Sequence, residues 1–251
     1  MSMKLRRSLL AAGVPLTAGL ALAGTALAAD GAPRVTVRVE GRTATLLATR
    51  TVSAPASGSI TKGRTPAGSC PADSAAGALS AATHGRWNGT YYKGLGIDVT
   101  TILGRTPAYE GGKGTYWELF VDGRAASTGI CDIKPRPGES LLFAQVPAKG
   151  KPELPIIVSA PKAVTAGKAF DVRAFVYTGK GDATRPVSNP RVRWSLAART
   201  SAGHPKLRES RTGRPGVLRF TVSGATSATA TLVVSARGEI RSAATRVRIV
   251  K

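Results

Sequence analysis

Tyr116-Trp117-Glu118-Leu119-Phe120-Val121-Asp122-Gly123-Arg124-Ala125-Ala126-Ser127-Thr128-Gly129-Ile130-Cys131 is the stretch from which the fold is read. A two-residue type I′ turn needs positive φ at both central positions. Asp122-Gly123 supplies it between two extended runs, so the stretch predicts a β-hairpin. Upstream, Arg34 to Glu40 alternates Val35, Val37 and Val39 with polar residues, the pattern of a half-buried strand. Gly41 allows a turn into a second strand over 43–52, and Trp87 to Tyr92 and Gly96 to Leu103 are further extended runs. Downstream, Lys134 to Glu139 reads as a turn and Ser140 to Val146 as a last strand. Between Cys70 and Thr83 the period becomes helical: Ala75, Leu79 and Ala82 share a stripe, Asp73 is available as a cap, and Gly77 weakens the helix by about 1 kcal/mol relative to Ala. The expectation is about six strands and one helix whose small residues let it lie close against a sheet.

After this region comes Pro147-Ala148-Lys149-Gly150-Lys151-Pro152-Glu153-Leu154-Pro155, with three prolines and no apolar alternation. Proline fixes its own backbone and biases the residue before it toward extended conformations, so the segment reads as a short stiff linker. It sets the expected domains at 29–150 and 151–251. In the second, the runs 154–158, 169–177, 190–196, 217–222, 228–234 and 244–250 are strand-like and separated by Gly, Pro, Asn and Asp. Six or seven short strands at that length predict a β-sandwich. The fold class expected is therefore mainly β: a sheet with one helix, then a sandwich.

The chain carries 36 Lys and Arg against 14 Asp and Glu over 251 residues, a formal charge of +22. Three of these charges, Lys4, Arg6 and Arg7, begin a segment that is apolar and small from Leu9 to Leu27 and ends in Ala26-Leu27-Ala28. That is the pattern of a cleavable export signal over 1–28, with retention as a membrane anchor the alternative. No later window approaches the roughly 18 apolar residues of a spanning helix, so no transmembrane helix is expected in the mature chain. The remaining excess is unequal, +5 in residues 29–150 and +14 in 151–251. The predominance of Arg over Lys with abundant Ala, Gly, Pro and Val associates with GC-rich bacterial genomes.

Cys70 and Cys131 both lie in the first domain. After an export signal an even pair reads as a disulfide, and two buried free thiols are the alternative. Closing a loop of about 60 residues would restrict the unfolded chain by roughly 4 kcal/mol.

Tyr116 to Gly123, Gly129-Ile130-Cys131-Asp132, Pro137-Gly138-Glu139 and Leu141-Leu142-Phe143 resemble the C-terminal β-domain of transcobalamin and intrinsic factor. They also resemble the bacterial family of unknown function named after that domain, often exported and often in actinobacteria. The resemblance covers roughly residues 33–147 and implies a β-grasp-like sheet crossed by one helix. In that family a Cys before the helix and one after the hairpin are frequent, as with Cys70 and Cys131. In the vitamin carriers cobalamin is held between this domain and a larger helical barrel for which this chain has no counterpart, so cobalamin binding is inherited here by name alone. The second domain resembles bacterial immunoglobulin-like domains, including its closing run Gly238 to Ile249, and that resemblance carries no functional residues.

For function, enzyme and metal chemistry find little. His84 and His204 belong to different domains, and the sequence has no HExxH, P-loop or nucleophile elbow, so no catalytic residue, metal site or cofactor is expected. Gly111-Gly112-Lys113-Gly114 reads as a flexible loop. Glu110, Glu118, Asp122 and Asp132 could flank a glycan, but in a net-basic domain carboxylates are more often charge partners. Two classes of function remain. One is a noncatalytic ligand- or glycan-binding module in which Trp87, Tyr91, Tyr92, Tyr116 or Trp117 line a surface, with core packing the competing reading of each. The other is a structural or adhesive envelope protein that engages another protein. Arg191-Val192-Arg193 and Arg246-Val247-Arg248 place arginines on outer strand faces, either simply solvated or holding the chain to an anionic envelope polymer such as teichoic acid, acidic glycan or phospholipid. Export and the lack of any recognition motif argue against nucleic acid. The expected location is extracytoplasmic, secreted or attached to the envelope.

Overall fold

Alternating valines beside a continuous apolar strand build the first sheet of the computed structural model, which describes residues 33–178, 183–198, 206–224 and 227–251. The export-signal reading of 1–28 and His204 lie outside the described residues. The chain is mainly β, with several sheets and one α-helix among the described residues.

The first sheet has the order β2-β1-β8-β6-β5, from β1 (Arg34–Glu40), β2 (Thr45–Ser53), β5 (Tyr109–Glu110), β6 (Lys113–Val121) and β8 (Ser140–Pro147). β1 and β8 run parallel, and the other neighbours are antiparallel. β7 (Arg124–Ala125) returns on β6 through Asp122 (φ 47°) and Gly123 (φ 80°), the turn that the Asp-Gly pair predicts. A separate hairpin pairs β3 (Trp87–Tyr92) with β4 (Gly96–Ile102). The six expected strands of this region are thus joined by the two-residue β5, too short to show a period, and the return arm of the expected hairpin is the two-residue β7.

Val35, Val37 and Val39, Leu141 and Phe143, and Trp117 and Leu119 form one face of the sheet. They bury it against α1 (Ala75–Thr83) and the β3-β4 hairpin. Alanines on α1 bring its axis close, and every one of its residues except Ser80 and Ala81 is buried. Asp73 does not cap it. The N-cap is Ser74, without a side-chain cap bond, because the first helical amides are already taken: Ala75 N–H donates to Ile133 O (2.8 Å) and Ala76 N–H to Ile130 O (3.1 Å). Asp73 instead accepts from Lys134 Nζ at 3.0 Å. The loop that supplies these carbonyls is tied to the helix entry by the Cys70–Cys131 disulfide, which closes a separation of 61 residues.

The opposite face of the sheet is covered too, which the alternation in β1 did not suggest. Phe120, Leu142, Ala144 and Val146 pack with Ile240 and Leu154. Beside them Glu40, 1 % exposed, accepts from Arg38 (2.7 Å), Thr45 Oγ1 (2.7 Å) and Arg241 (2.6 Å). Burial holds the Arg38 guanidinium below its ordinary value, opposed by the charge and hydrogen bond of Glu40. The expected linker is itself pinned on both sides: Glu153 accepts from Arg42, Leu154 N–H donates to Glu239, and Ile156 N–H donates to Ile240 O at 2.9 Å. Gly123 sits at this seam, where a Cβ would come within 2.7 Å of Ile157 Cδ1, and Arg124 stacks over the Tyr177 ring at 3.9 Å.

Beyond the seam two sheets pack face to face as a β-sandwich. One has the order β10-β17-β16-β13, from β10 (Ala163–Thr165), β13 (Arg191–Ala198), β16 (Ala228–Ser235) and β17 (Thr245–Val250). The other is β12-β11-β15-β14, from β11 (Ala169–Tyr177), β12 (Thr184–Pro186), β14 (Lys206–Arg211) and β15 (Val217–Ser223), with β9 (Ile157–Ser159) beside β11. Phe170, Val172, Leu218 and Phe220 of one sheet meet Ala230, Leu232, Val247 and Ile249 of the other. β10, β12 and β14 add to the strands expected: two have only three residues, and β14 is mostly polar.

Candidate functional site

The five aromatic candidates separate into core and surface. Trp87 is 3 % exposed and donates from Nε1 to Ser80 Oγ at 2.7 Å, so it serves the core. Trp117 is 7 % exposed on the helix-facing side of β6, and its Nε1 is buried with no partner among the described residues. Tyr91 is half-buried against the same core. Tyr92 is exposed near the tip of the β3-β4 hairpin, where Leu95 stands 73 % exposed. Of the five, Tyr116 lines a concave surface.

That surface is a cavity of about 480 Å³ bounded by Asp98, Thr100, Thr106, Pro107, Tyr109 and Tyr116. Strand register explains the pairing of its two rings. Tyr109 lies opposite Gly114 across the β5-β6 hairpin, so Tyr116, two residues further along β6, is its diagonal neighbour. The rings sit edge to face, centroids 6.5 Å apart at 75°, with Tyr109 60 % and Tyr116 38 % exposed. The hairpin is tight rather than the flexible loop expected from Gly111 to Gly114: Gly114 has φ +83°, and a Cβ there would lie 1.6 Å from Ala108 O. Across the cavity the 103–108 loop is pinned by the 2.9 Å contact between the Thr101 and Thr106 hydroxyls and by Ile102 N–H donating to Arg105 O at 3.1 Å.

Partial burial pushes the Asp98 carboxyl above its ordinary value. Partial burial, then the hydrogen bond and charge of Glu118, push the Tyr116 phenol up to about 12. Tyr116 therefore remains a neutral hydrogen-bond donor at physiological pH. The cavity thus combines aromatic ring faces and edges with a carboxylate acceptor and threonine hydroxyls. This set can stack a flat or puckered ring and bond its hydroxyl groups.

The acidic candidates are scattered. Asp122 accepts the Ser140 amide at 2.8 Å and locks its own turn, Glu110 stands opposite Lys113, Glu118 serves Tyr116, and Asp132 is exposed. His84 caps the end of α1 with φ 53°, and Arg50 NH1 lies 2.9 Å from its Nε2. Asp98, Thr100, Thr106, Pro107 and Tyr109 are site residues that sequence reasoning missed. The signal for Tyr109 was the glycine turn itself, since a hairpin there brings Tyr109 toward Tyr116.

A larger concavity, about 920 Å³, lies between the turns at Pro190 and Pro215. It has no aromatic lining, and its Arg214 is tied to Asp171. Among the described residues no helix is long and apolar enough to cross a membrane. In comparisons with known proteins, no family model matches the chain and no curated protein matches it.

Proposed function

We propose that this chain is an exported, noncatalytic binding protein of a bacterial envelope whose ligand is a neutral, hydroxyl-rich ring compound, a glycan, seated on the Tyr109–Tyr116 cavity. The observation that carries this reading is the exposed, perpendicular tyrosine pair in a cavity that also presents Asp98, Thr100 and Thr106. Ordered aromatic surface left open to solvent costs hydrophobic free energy that a stacking ligand would recover. The disulfide supports an oxidising compartment outside the cytoplasm. Under this reading the first region is a transcobalamin C-terminal-like domain and the second an immunoglobulin-like domain, and actinobacterial origin follows from the same resemblance and composition.

The test is retention of the mature chain on immobilised neutral oligosaccharides of hexose and N-acetylhexosamine. The wild type is expected to be retained, and Tyr109→Ala with Tyr116→Ala to weaken binding at least about tenfold, the scale of one lost stacked ring. Unchanged retention of the double variant, or no retention of the wild type, would overturn the reading. A spectroscopic titration with cobalamin is expected to show no binding. A second reading, adhesion to another protein, rests on the exposed Tyr92 and Leu95 at the β3-β4 tip. It requires Leu95→Ser to abolish a protein contact that the tyrosine substitutions leave intact.

A further inference from the structure

We propose that the outward face of the β10-β17-β16-β13 sheet is a track for a linear phosphodiester polymer. The inference is independent of the tyrosine cavity and rests on charge and register in the sandwich.

In β13 Val192, and in β17 Val247 and Ile249, turn toward the core, which leaves Arg191, Arg193, Arg246 and Arg248 on the outward side, all exposed. The four strands of this sheet contain no carboxylate, and among the described residues none of these arginines is paired. The other sheet is different. There Asp171 accepts from both Arg219 and Arg214, and the Arg219 hydrogen bond above all holds its carboxyl below the ordinary range. One sheet of the sandwich therefore neutralises part of its arginine charge, and the opposite one leaves four guanidinium groups without an ion pair among the described residues, although Arg191 shares the concavity at Pro190 with Glu209.

Strand pairing then spaces these groups. Along the central strand β16, Arg248 lies opposite Thr229, Arg246 opposite Thr231, Arg193 opposite Val233 and Arg191 opposite Ser235. Each successive outward position of β16 thus has one arginine beside it, first on the β17 side and then on the β13 side. Two residues of strand rise about 6.7 Å, so the two arginines of each row are about that far apart at the backbone, while the step from Arg246 across β16 to Arg193 adds two strand spacings of about 4.8 Å and is about 12 Å, within the reach of the long side chains. Consecutive phosphorus atoms joined through a three-carbon polyol are six single bonds apart, each about 1.5 Å, and an extended zigzag of them spans roughly 7 Å. Arginine presents a planar fork that matches two phosphate oxygens. Between the two arginine rows β16 offers Thr229, Thr231, Val233 and Ser235, short side chains that leave the track open and add hydroxyl donors. Single-stranded nucleic acid is bound with bases stacked on aromatic side chains, and the outward face has none: Trp194, though 42 % exposed, is in register with the core residue Leu232 and so belongs to the other side of β13. An aliphatic polyol phosphate fits better.

The experiment measures binding of the whole mature chain to poly(glycerol phosphate) over a range of salt. Arg246→Gln with Arg248→Gln, and Arg191→Gln with Arg193→Gln, are each expected to weaken binding at least about tenfold at low salt. Each pair should also flatten the dependence of log K on log salt by about 1.4, the contribution of two phosphate contacts. Arg173→Gln with Arg208→Gln removes the same charge from the opposite sheet and is expected to change affinity less than about threefold. Thermal melts check that the variants fold, and either track pair suffices if the other does not. Equal losses in the control pair would reduce the effect to net charge and overturn the proposal, as would unchanged binding in both track pairs. Tighter binding of single-stranded DNA with the same number of phosphates would also overturn it, in favour of nucleic acid.

Discussion

Trp87 and Trp117 share one core but differ in one hydrogen bond. Trp87 Nε1 donates to Ser80, whereas Trp117 Nε1 is buried without a partner. An unmet buried donor costs about 1–3 kcal/mol, and a made hydrogen bond contributes about 1 kcal/mol. Trp117→Phe removes the first and Trp87→Phe the second. Chemical denaturation should therefore find Trp87→Phe less stable than Trp117→Phe by about 2–4 kcal/mol. Equal losses would mean that packing volume alone decides. Asp98 gives a pH signature. Its carboxyl is raised in the folded state, so the folded protein binds that proton more tightly than the unfolded chain, and stability falls as pH rises through the interval between the two pKa values. Asp98→Asn is expected to be more stable than the wild type near neutral pH and equal to it in acid below the ordinary carboxylate range. Denaturation midpoints across that range check the sign.

At the scale of elements, α1 is held by backbone it does not contain. Gly77, which helix propensity marks as a weakness, is where the Ala72 carbonyl approaches: a Cβ at position 77 would lie 1.7 Å from Ala72 O. Gly77→Ala should gain about 1 kcal/mol of propensity and lose more to overpacking, for a net destabilisation of roughly 1–3 kcal/mol in thermal or chemical unfolding. The hairpin at Asp122-Gly123, the valine face of β1 and the apolar run of β8 were legible because each is local: turn chemistry, alternation and continuous burial all appear within ten residues. The cap at Asp73 misread because the amides it would have served are satisfied by Ile130 and Ile133, far along the chain. β5 and β14 escaped for the opposite reason, since neither shows the apolar alternation of a half-buried strand. With β5 went Tyr109, and with Tyr109 the partner that separates Tyr116 from the tryptophans as a surface residue.

At the scale of the molecule, the central strands of the first sheet are buried on both faces, one by α1 and the β3-β4 hairpin and the other by the Leu154 and Ile240 segments. Glu40 lies at that second interface between Arg38 and Arg241. Removing one partner of a buried ion pair leaves the others uncompensated, so Glu40→Gln should cost about 3–5 kcal/mol of global stability by denaturant unfolding. A near-neutral effect would mean that water reaches the arginines. Because this seam covers the outer face of the central strands, the tyrosine cavity at the β5 edge is where the first sheet presents exposed rings in a concave surface. The direct test of that assignment is hydroxyl-radical footprinting of the whole chain, read residue by residue by mass spectrometry, with and without the neutral oligosaccharides. Protection of Tyr109 and Tyr116 with Tyr92 unchanged is expected; protection of Tyr92 instead, or of no tyrosine at all, would contradict a ligand seated on the tyrosine cavity.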